Sequence, residues 1–206
     1  MEVDIRGMPK KNFGYSIAES LVTLFIVAII TTLVLANYRA GQNSAILRQT
    51  TAEMVNTLRD AQQHALSATC PAPCGPTDPK PSGYVVYFDE SDIHYEIFAD
   101  LNDDGFYDAN EARFVEPPSE RLLNVGYRIK LAGSADCSDI NRNNASIAFT
   151  PPLPQTSIRT KDSSGTIYDC TRACIFNSLG GQTWRITVDK ASGLIESSIV
   201  SSETCT

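Results

Sequence analysis

The chain has 206 residues, of which 42% are hydrophobic and 20% are charged. This length allows one domain plus a membrane segment, and the hydrophobic content is enough to build one core, which excludes a disordered chain. The formal net charge of −7 argues against broad nucleic-acid affinity, because neutralising phosphates needs clustered Lys and Arg. Nucleic acid is therefore only a minor option as a partner.

Residues 20–38 contain no charged side chain. A helix over this segment spans about 28 Å, which is close to the hydrocarbon thickness of a bilayer. A secretory signal peptide would end in small residues at a cleavage site, and residues 33–38 offer a poor site of that kind. We therefore predict a retained transmembrane helix over about residues 20–38.

The residues in front of this segment are unusual. Two basic residues, Lys10 and Lys11, precede Gly14 and Tyr15, and a lone carboxylate, Glu19, follows where the hydrocarbon begins. Placing a carboxylate in or near the hydrocarbon of a membrane costs free energy, so a residue such as Glu19 is expected to have a function there. This arrangement resembles the class III signal of type IV pilins and pseudopilins. An ordinary signal anchor with a Gly and a Glu by chance is the alternative.

The resemblance implies a processing event and a role for Glu19. A prepilin peptidase would remove residues 1–14 by cutting after Gly14, and the new N-terminus at Tyr15 would be methylated. Glu19 would become the fifth residue of the mature chain and would guide assembly. The basic residues of the leader would keep the N-terminus cytoplasmic, so that the rest of the chain faces outward.

One long helix is predicted over residues 15–69, because Gly41 is the only helix breaker within them. Beyond the membrane segment, small and apolar residues recur at spacings of three, four or seven. These residues are Leu47, Thr51, Met54, Leu58, Ala61, Ala65 and Ala68. Polar residues face elsewhere, namely Arg48, Glu53, Asn56, Arg59 and Gln63. This half is expected to pack one stripe on a globular domain.

A Pro-rich connector over residues 70–83 ends the helix and leads into a head of residues 84–206. Short apolar or alternating runs in the head predict β-strands. The runs lie at 84–88, 93–97, 125–131, 145–149, around 167, 184–188 and 194–200. The last two are expected to form a hairpin. The predicted fold class is α+β, with the long helix packed on an antiparallel β-sheet.

The head also carries a family resemblance. The long helix, the short strands, SIAFTP at 146–151, WRITV at 184–188 and SGLI at 192–195 are similar to the heads of FimT/GspH-type minor pilins and pseudopilins. The resemblance covers roughly residues 55–200 and implies a pilin-like fold.

Residues 100–111, DLNDDGFYDANE, match the calcium-loop pattern of an EF-hand at every specified position. The pattern assigns the ligand oxygens to Asp100, Asn102, Asp104, the Phe106 carbonyl, Asp108 and bidentate Glu111. Gly105 would make the sharp turn. The carboxylates of this loop would repel one another without a cation, which favours structural Ca²⁺ as a cofactor. The alternative is an acidic solvated turn, since Asp, Asn and Gly also serve the backbone.

All six cysteines lie beyond the apolar segment, at Cys70, Cys74, Cys137, Cys170, Cys174 and Cys205. An even number on one side of the membrane predicts disulfides formed in an oxidising compartment. Zinc binding by the two Cys-x3-Cys pairs is the less favoured alternative, because the pairs lie about a hundred residues apart. Local 70–74 and 170–174 bridges, with 137–205 left over, are the expected connectivity.

Enzyme activity is not expected, because no nucleophile motif accompanies His64 or His94. The expected function is a structural subunit of a type IV pilus or a type II secretion pseudopilus. Its partners would be other subunits, prepilin peptidase and the inner-membrane assembly machinery. A tip minor pilin that binds DNA or a surface is the second hypothesis, and a membrane-anchored enzyme is the third. The basic residues that DNA binding would need are dispersed along the head sequence.

Overall fold

The computed structural model describes residues 16–67, 80–89, 94–106, 120–122, 127–132, 137, 144–151, 155–162 and 165–205. The chain divides into two units, Met1–Gly41 and Gln42–Thr206. The described residues form one long helix followed by antiparallel strands. The coarse prediction of an α+β fold is therefore confirmed.

Helix α1, Ile17–Ser67, is continuous over 51 residues. In the part that precedes Gln42, the large apolar side chains are exposed, from 46% for Ile29 to 83% for Ile17. The apolar part of α1 is long and apolar enough to cross a membrane, by length and composition. The part of the chain that the structure describes thus contains one candidate membrane span, near the N-terminus, as the hydropathy predicts.

Threonine hydroxyls in the apolar part of α1 are bonded within the helix. Thr31 donates to the Val27 carbonyl at 2.7 Å, and Thr32 donates to the Ala28 carbonyl at 2.8 Å. Hydrocarbon offers no partner to a hydroxyl, so a polar group satisfied inside the helix lowers the cost of insertion. These threonines are therefore compatible with a membrane environment.

The second part of α1 buries the predicted stripe. Leu47, Thr51, Met54, Leu58, Ala61 and Ala65 are at most 2% exposed. The five polar residues that were expected to face elsewhere are exposed. Burying a Leu or Met side chain completely contributes about 1.5–3 kcal/mol, so the stripe explains why this part of the helix docks on the head. Ala68 lies outside the described residues.

Ten strands follow the helix in the described part of the chain: β1 Gly83–Asp89, β2 His94–Asp100, β3 Glu120–Leu122, β4 Tyr127–Ala132, β5 Asn144–Thr150, β6 Gln155–Lys161, β7 Ile167–Cys170, β8 Arg172–Leu179, β9 Gln182–Asp189 and β10 Ile195–Val200. They form two antiparallel sheets. The six-stranded sheet has the order β3-β2-β1-β5-β6-β7, and the four-stranded sheet has the order β10-β9-β8-β4. The predicted single sheet is therefore two sheets, and the predicted terminal hairpin is β9 with β10.

One hydrophobic core joins the helix to both sheets. It takes Met54 and Leu58 from α1, Phe88 and Ile147 from the six-stranded sheet, and Ile175 from the four-stranded sheet. A second, smaller cluster of Val85, Phe98 and Ala148 lies on the opposite face of the six-stranded sheet. Both faces of that sheet therefore carry buried apolar residues.

Two disulfides connect the head, Cys137–Cys170 and Cys174–Cys205, with Cα separations of 5.8 and 5.7 Å. The expected 170–174 and 137–205 pairings are wrong. Cys170 ends β7 in one sheet and Cys174 lies in β8 of the other, and an extended chain over four residues spans about 13 Å. That distance exceeds the reach of a disulfide. Cys70 and Cys74 lie outside the described residues.

Candidate functional site

Two features of the described residues are candidate functional sites, the N-terminus of α1 and the loop that follows β2. Glu19 lies in the first turn of α1 and is exposed. Ser16 precedes the helix, and its Oγ accepts a hydrogen bond from the Ala18 backbone N–H at 3.2 Å. Ser16 is therefore the N-cap, and Glu19 occupies the third helical position. Gly14 and Tyr15 lie outside the described residues.

The Ser16-x-x-Glu19 spacing is that of a capping box, which the sequence analysis did not recognise. A carboxylate in the first turn is also stabilised by the helix dipole, by about 0.3–1 kcal/mol at an exposed position. Glu19 therefore has a local structural explanation besides a role in assembly. A test of its function must separate its negative charge from its ability to form hydrogen bonds.

The backbone of Asp100, where the loop after β2 begins, is held by hydrogen bonds and by strand pairing. Asp100 pairs with Gly83 across the sheet. Its carbonyl accepts hydrogen bonds from both the backbone N–H and the Oγ of Ser82, each at 2.8 Å. The last residue of β2 is thereby fixed at the point where the predicted calcium loop begins.

The Asp100 carboxylate organises the loop from this position. Its Oδ1 accepts from the Asp103 N–H at 2.7 Å, and its Oδ2 accepts from the Gly105 N–H at 2.8 Å. Asp103 and Gly105 have φ angles of 65° and 72°, in the left-handed region that Gly and Asp tolerate. Asp100 itself is 1% exposed. The backbone therefore wraps around this one carboxylate.

The other described ligand candidates are bonded in the same manner. Asn102 Oδ1 accepts from the Asp104 N–H at 3.0 Å, and Asp104 Oδ1 accepts from the Phe106 N–H at 2.7 Å. The Asn102 amide also donates to Asp104 Oδ2 at 3.1 Å. Three of the predicted oxygen donors are thus held within one short turn.

The environment of Asp100 is unfavourable for its charge. Burial raises the pKa of its carboxyl group, and the nearby Asp104 and Asp103 carboxylates raise the pKa further, while the two backbone donors lower it. A divalent cation would favour the ionised form. Carboxylate and amide oxygens are the donor types that a hard cation such as Ca²⁺ prefers.

No group of three or more His, Cys, Asp or Glu side chains within the described ranges is placed to hold a metal ion. Asp108 and Glu111, the remaining predicted side-chain ligands, lie outside those ranges, and the Phe106 carbonyl is the one backbone ligand of the pattern. The side chains of Asp100, Asn102 and Asp104 would therefore supply only part of the coordination that the EF-hand pattern specifies.

The Arg159 side chain, which comes from a strand that does not neighbour β2, also holds the loop. Its Nη1 donates a hydrogen bond to the Asp104 carbonyl. Arg159 lies on β6, and β1 and β5 separate β6 from β2. The loop therefore reaches across two strands. Sequence reasoning did not find Arg159, because no local pattern links residues 55 positions apart.

Comparison of the chain with protein-family models, with curated proteins and with solved structures gives no match in any of the three. The residues from which a function can be inferred therefore lie at the helix N-terminus, in the loop and on the surface of the head.

Four basic residues that are dispersed in the sequence share one face of the head. They are Arg128, Lys130, Arg172 and Arg185, on the outward side of the four-stranded sheet. Each bonds within the chain: Arg128 to the Glu203 carboxylate at 3.3 Å, Lys130 to the Glu203 carbonyl at 2.7 Å, Arg172 to Asp189 at 3.5 Å, and Arg185 to the Thr204 carbonyl at 3.2 Å. This face is therefore internally paired.

His64 and His94 lie on different elements, α1 and β2. The His64 ring lies 5.5 Å from the Tyr84 ring in a tilted contact, which is a packing interaction between α1 and β1. His94 is the first residue of β2, and its backbone pairs with Asp89 and Leu122.

Proposed function

We propose that this chain is a pilin-like structural subunit of a type IV pilus or a type II secretion pseudopilus. Prepilin peptidase cuts it after Gly14, and the mature subunit assembles through α1 with other subunits at the inner membrane. The observation that carries this proposal is α1 itself. Its first part exposes apolar side chains along its length, with Glu19 as the only charged residue between positions 17 and 38, and its second part docks on a β-rich head.

Glu19 is the residue through which we propose that subunits recognise one another. A carboxylate placed in hydrocarbon costs about 2.5–3.5 kcal/mol on insertion scales, so it needs a cationic partner. Residues 20–38 contain no Lys or Arg. Cleavage after Gly14 creates an ammonium group at Tyr15, and pairing of Glu19 with this group on a neighbouring subunit would set the axial position of each subunit.

The test compares Glu19→Gln with Glu19→Ala in the native host. Gln can replace Glu in a capping box, whereas Ala cannot. We expect both variants to be membrane-inserted and cleaved between Gly14 and Tyr15, as shown by mass spectrometry of the mature N-terminus. We also expect both to be at least tenfold depleted in sheared filaments or crosslinked complexes, because both lack the charge.

Other outcomes would assign other roles. Normal incorporation of Glu19→Gln with loss of Glu19→Ala would mean that Glu19 only caps the helix. Wild-type incorporation of both would remove Glu19 from assembly. A mature chain that begins at Met1, or beyond residue 36, would contradict the pilin-like function as a whole.

We also propose that residues 100–111 hold a structural Ca²⁺ that orders the loop on the head. The support is the position of Asp100, which is buried, carries a raised pKa and gathers two backbone N–H groups. The head would lie outside the cytoplasm, where disulfides persist. Its two disulfides are compatible with that location.

A further inference from the structure

The C-terminal residues 201–205, called here the strap, follow β10 and lie on the outward face of the four-stranded sheet. The Glu203 carboxylate contacts Arg128 at 3.3 Å, and the Glu203 carbonyl accepts from Lys130 at 2.7 Å, both on β4. The Thr204 carbonyl accepts from Arg185 on β9 at 3.2 Å. The strap therefore has polar partners on both sides of β8.

The central strand β8 holds the strap covalently. Cys174 of β8 forms the disulfide with Cys205. Phe176 lies two residues further along the same outward side, in register between Arg128 and Arg185. The Lys130 Nζ lies over the Phe176 ring, 6.0 Å from its centroid, and Lys130, like the two arginines, bonds to the strap. The strap therefore holds the side chains that surround Phe176. Phe176 is 1% exposed although it points away from the main core.

The two disulfides differ in their accessibility. Cys137 and Cys170 are 2% and 0% exposed, and both belong to the main hydrophobic core. Cys174 is also buried, but Cys205 is partly exposed and follows the exposed Thr204. A thiolate must reach a sulfur atom to exchange with a disulfide, so access controls which bond reacts. Of the four half-cystines in these two disulfides, Cys205 is the one that is partly exposed.

Once the disulfide is open, the remaining contacts hold the strap weakly. The Arg128 side chain is 71% exposed, and its ion pair with Glu203 is screened by water. The contact between Ser178 Oγ and the Glu203 carboxylate is long, at 3.5 Å. The hydrogen bonds from Lys130 and Arg185 to the strap carbonyls also remain, but the disulfide is the covalent restraint on the strap.

We propose that Cys174–Cys205 makes the strap a redox-sensitive cover, which a dithiol reductant releases before it reduces Cys137–Cys170. A thiolate of the dithiol attacks the Cys205 sulfur and forms a mixed disulfide, and Cys174 leaves as a thiolate that takes up a proton. The second thiol of the dithiol then resolves the mixed disulfide, which releases Cys205 as a thiol and the dithiol in its oxidised, disulfide form. Release of the strap exposes Phe176 and leaves Arg128 and Arg185 without their strap partners.

The experiment titrates the full chain in detergent with dithiothreitol, alkylates the thiols that appear, and maps them by mass spectrometry. We expect Cys174 and Cys205 to be alkylated at a dithiothreitol concentration at least tenfold lower than Cys137 and Cys170. At that concentration, amide hydrogen exchange should accelerate at least tenfold in the strap and in the peptide that contains Phe176. Exchange in the peptide that contains Leu58 should not change.

Two variants distinguish the contribution of the disulfide to protection of the strap from the contribution of its polar contacts. Cys205→Ser should show fast exchange in the strap without reductant, whereas Glu203→Gln, which keeps the disulfide, should remain protected. Simultaneous reduction of both disulfides, or earlier reduction of Cys137–Cys170, would overturn the proposal. Unchanged exchange in the strap after selective reduction would also overturn it, and this arm uses the wild-type chain, so it does not depend on the folding of a variant.

Discussion

Replacement of Asp100 by Ala tests whether this carboxylate organises the loop and binds Ca²⁺. The substitution leaves the N–H groups of Asp103 and Gly105 without their acceptor. A hydrogen bond to a charged group contributes about 1.5–3 kcal/mol, and removal of a buried negative charge offsets part of the loss of two such bonds. We therefore expect Asp100→Ala to lower the free energy of unfolding by about 2–4 kcal/mol in EDTA.

Calcium adds a second measurable term. At a free Ca²⁺ concentration one hundred times the Kd, binding to the folded state alone stabilises it by about 2.7 kcal/mol. For a protein of this size, that corresponds to a rise in Tm of about 5–11 °C. The wild-type chain should show this rise relative to EDTA. Asp100→Ala should lose it, because the buried first ligand is absent.

Asp103→Asn is the matched control. It removes one negative charge from the same loop at a position that the calcium pattern does not specify, and Asn tolerates the φ of 65° found there. Thermal unfolding of the full chain in detergent, followed by the fluorescence of the single tryptophan, Trp184, gives the Tm of each variant. A Ca²⁺ shift that survives in Asp100→Ala, or is lost equally in Asp103→Asn, would refute the ligand assignment. A loss below about 1 kcal/mol in EDTA would refute the organising role of Asp100.

Two further predictions concern the docked helix and the terminal hairpin. Leu58→Ala removes a side chain that is 0% exposed, so it should lower the free energy of unfolding in urea by about 2–5 kcal/mol. Glu53→Ala, at an exposed position of the same helix, should change it by less than about 0.5 kcal/mol. Equal effects of the two substitutions would contradict the docking of the helix. Hydrogen bonds from Ser192, followed by the interaction with Arg172, lower the pKa of Asp189. The ionised Asp189 carboxylate therefore stabilises the folded state above the pKa of about 3.9 in the unfolded state, and this stabilisation is lost as pH falls through the lower pKa in the folded state. Asp189→Asn should weaken the decline of Tm below about pH 4, and an unchanged slope of Tm against pH would contradict this assignment.

The elements that the sequence predicts well are those encoded by neighbouring residues. The long helix follows from the absence of proline and from a periodic stripe, and the structure buries Leu47 and Leu58 of that stripe. Strand β4 alternates between buried and exposed or partly exposed residues, as its sequence indicates. The spacing of Asp100, Asn102 and Asp104 in the calcium pattern is also a local property of the sequence, and calcium binding by these residues stays a prediction.

Strands without a local pattern were missed. The central residues of β8, from Ala173 to Asn177, are buried on both faces, so that strand shows no alternation of apolar and polar residues. In β6 two of the three buried positions are Thr156 and Thr160, which reduces the apolar signal. In both cases burial depends on what packs against the strand, and a short window of sequence does not contain that information.

The sequence by itself determined the candidate membrane span, the long helix and most of the strands, since each depends on residues within a few turns or one strand. It also supplies the calcium-loop pattern, which stays a prediction. Only the tertiary structure decided that the strands form two sheets, that Cys170 pairs with Cys137 rather than with Cys174, and that Arg159 bonds to the loop. These contacts join residues that are 33 or 55 positions apart. Periodicity and propensity act over a few residues, whereas pairing over such separations is set by how the whole chain closes its core.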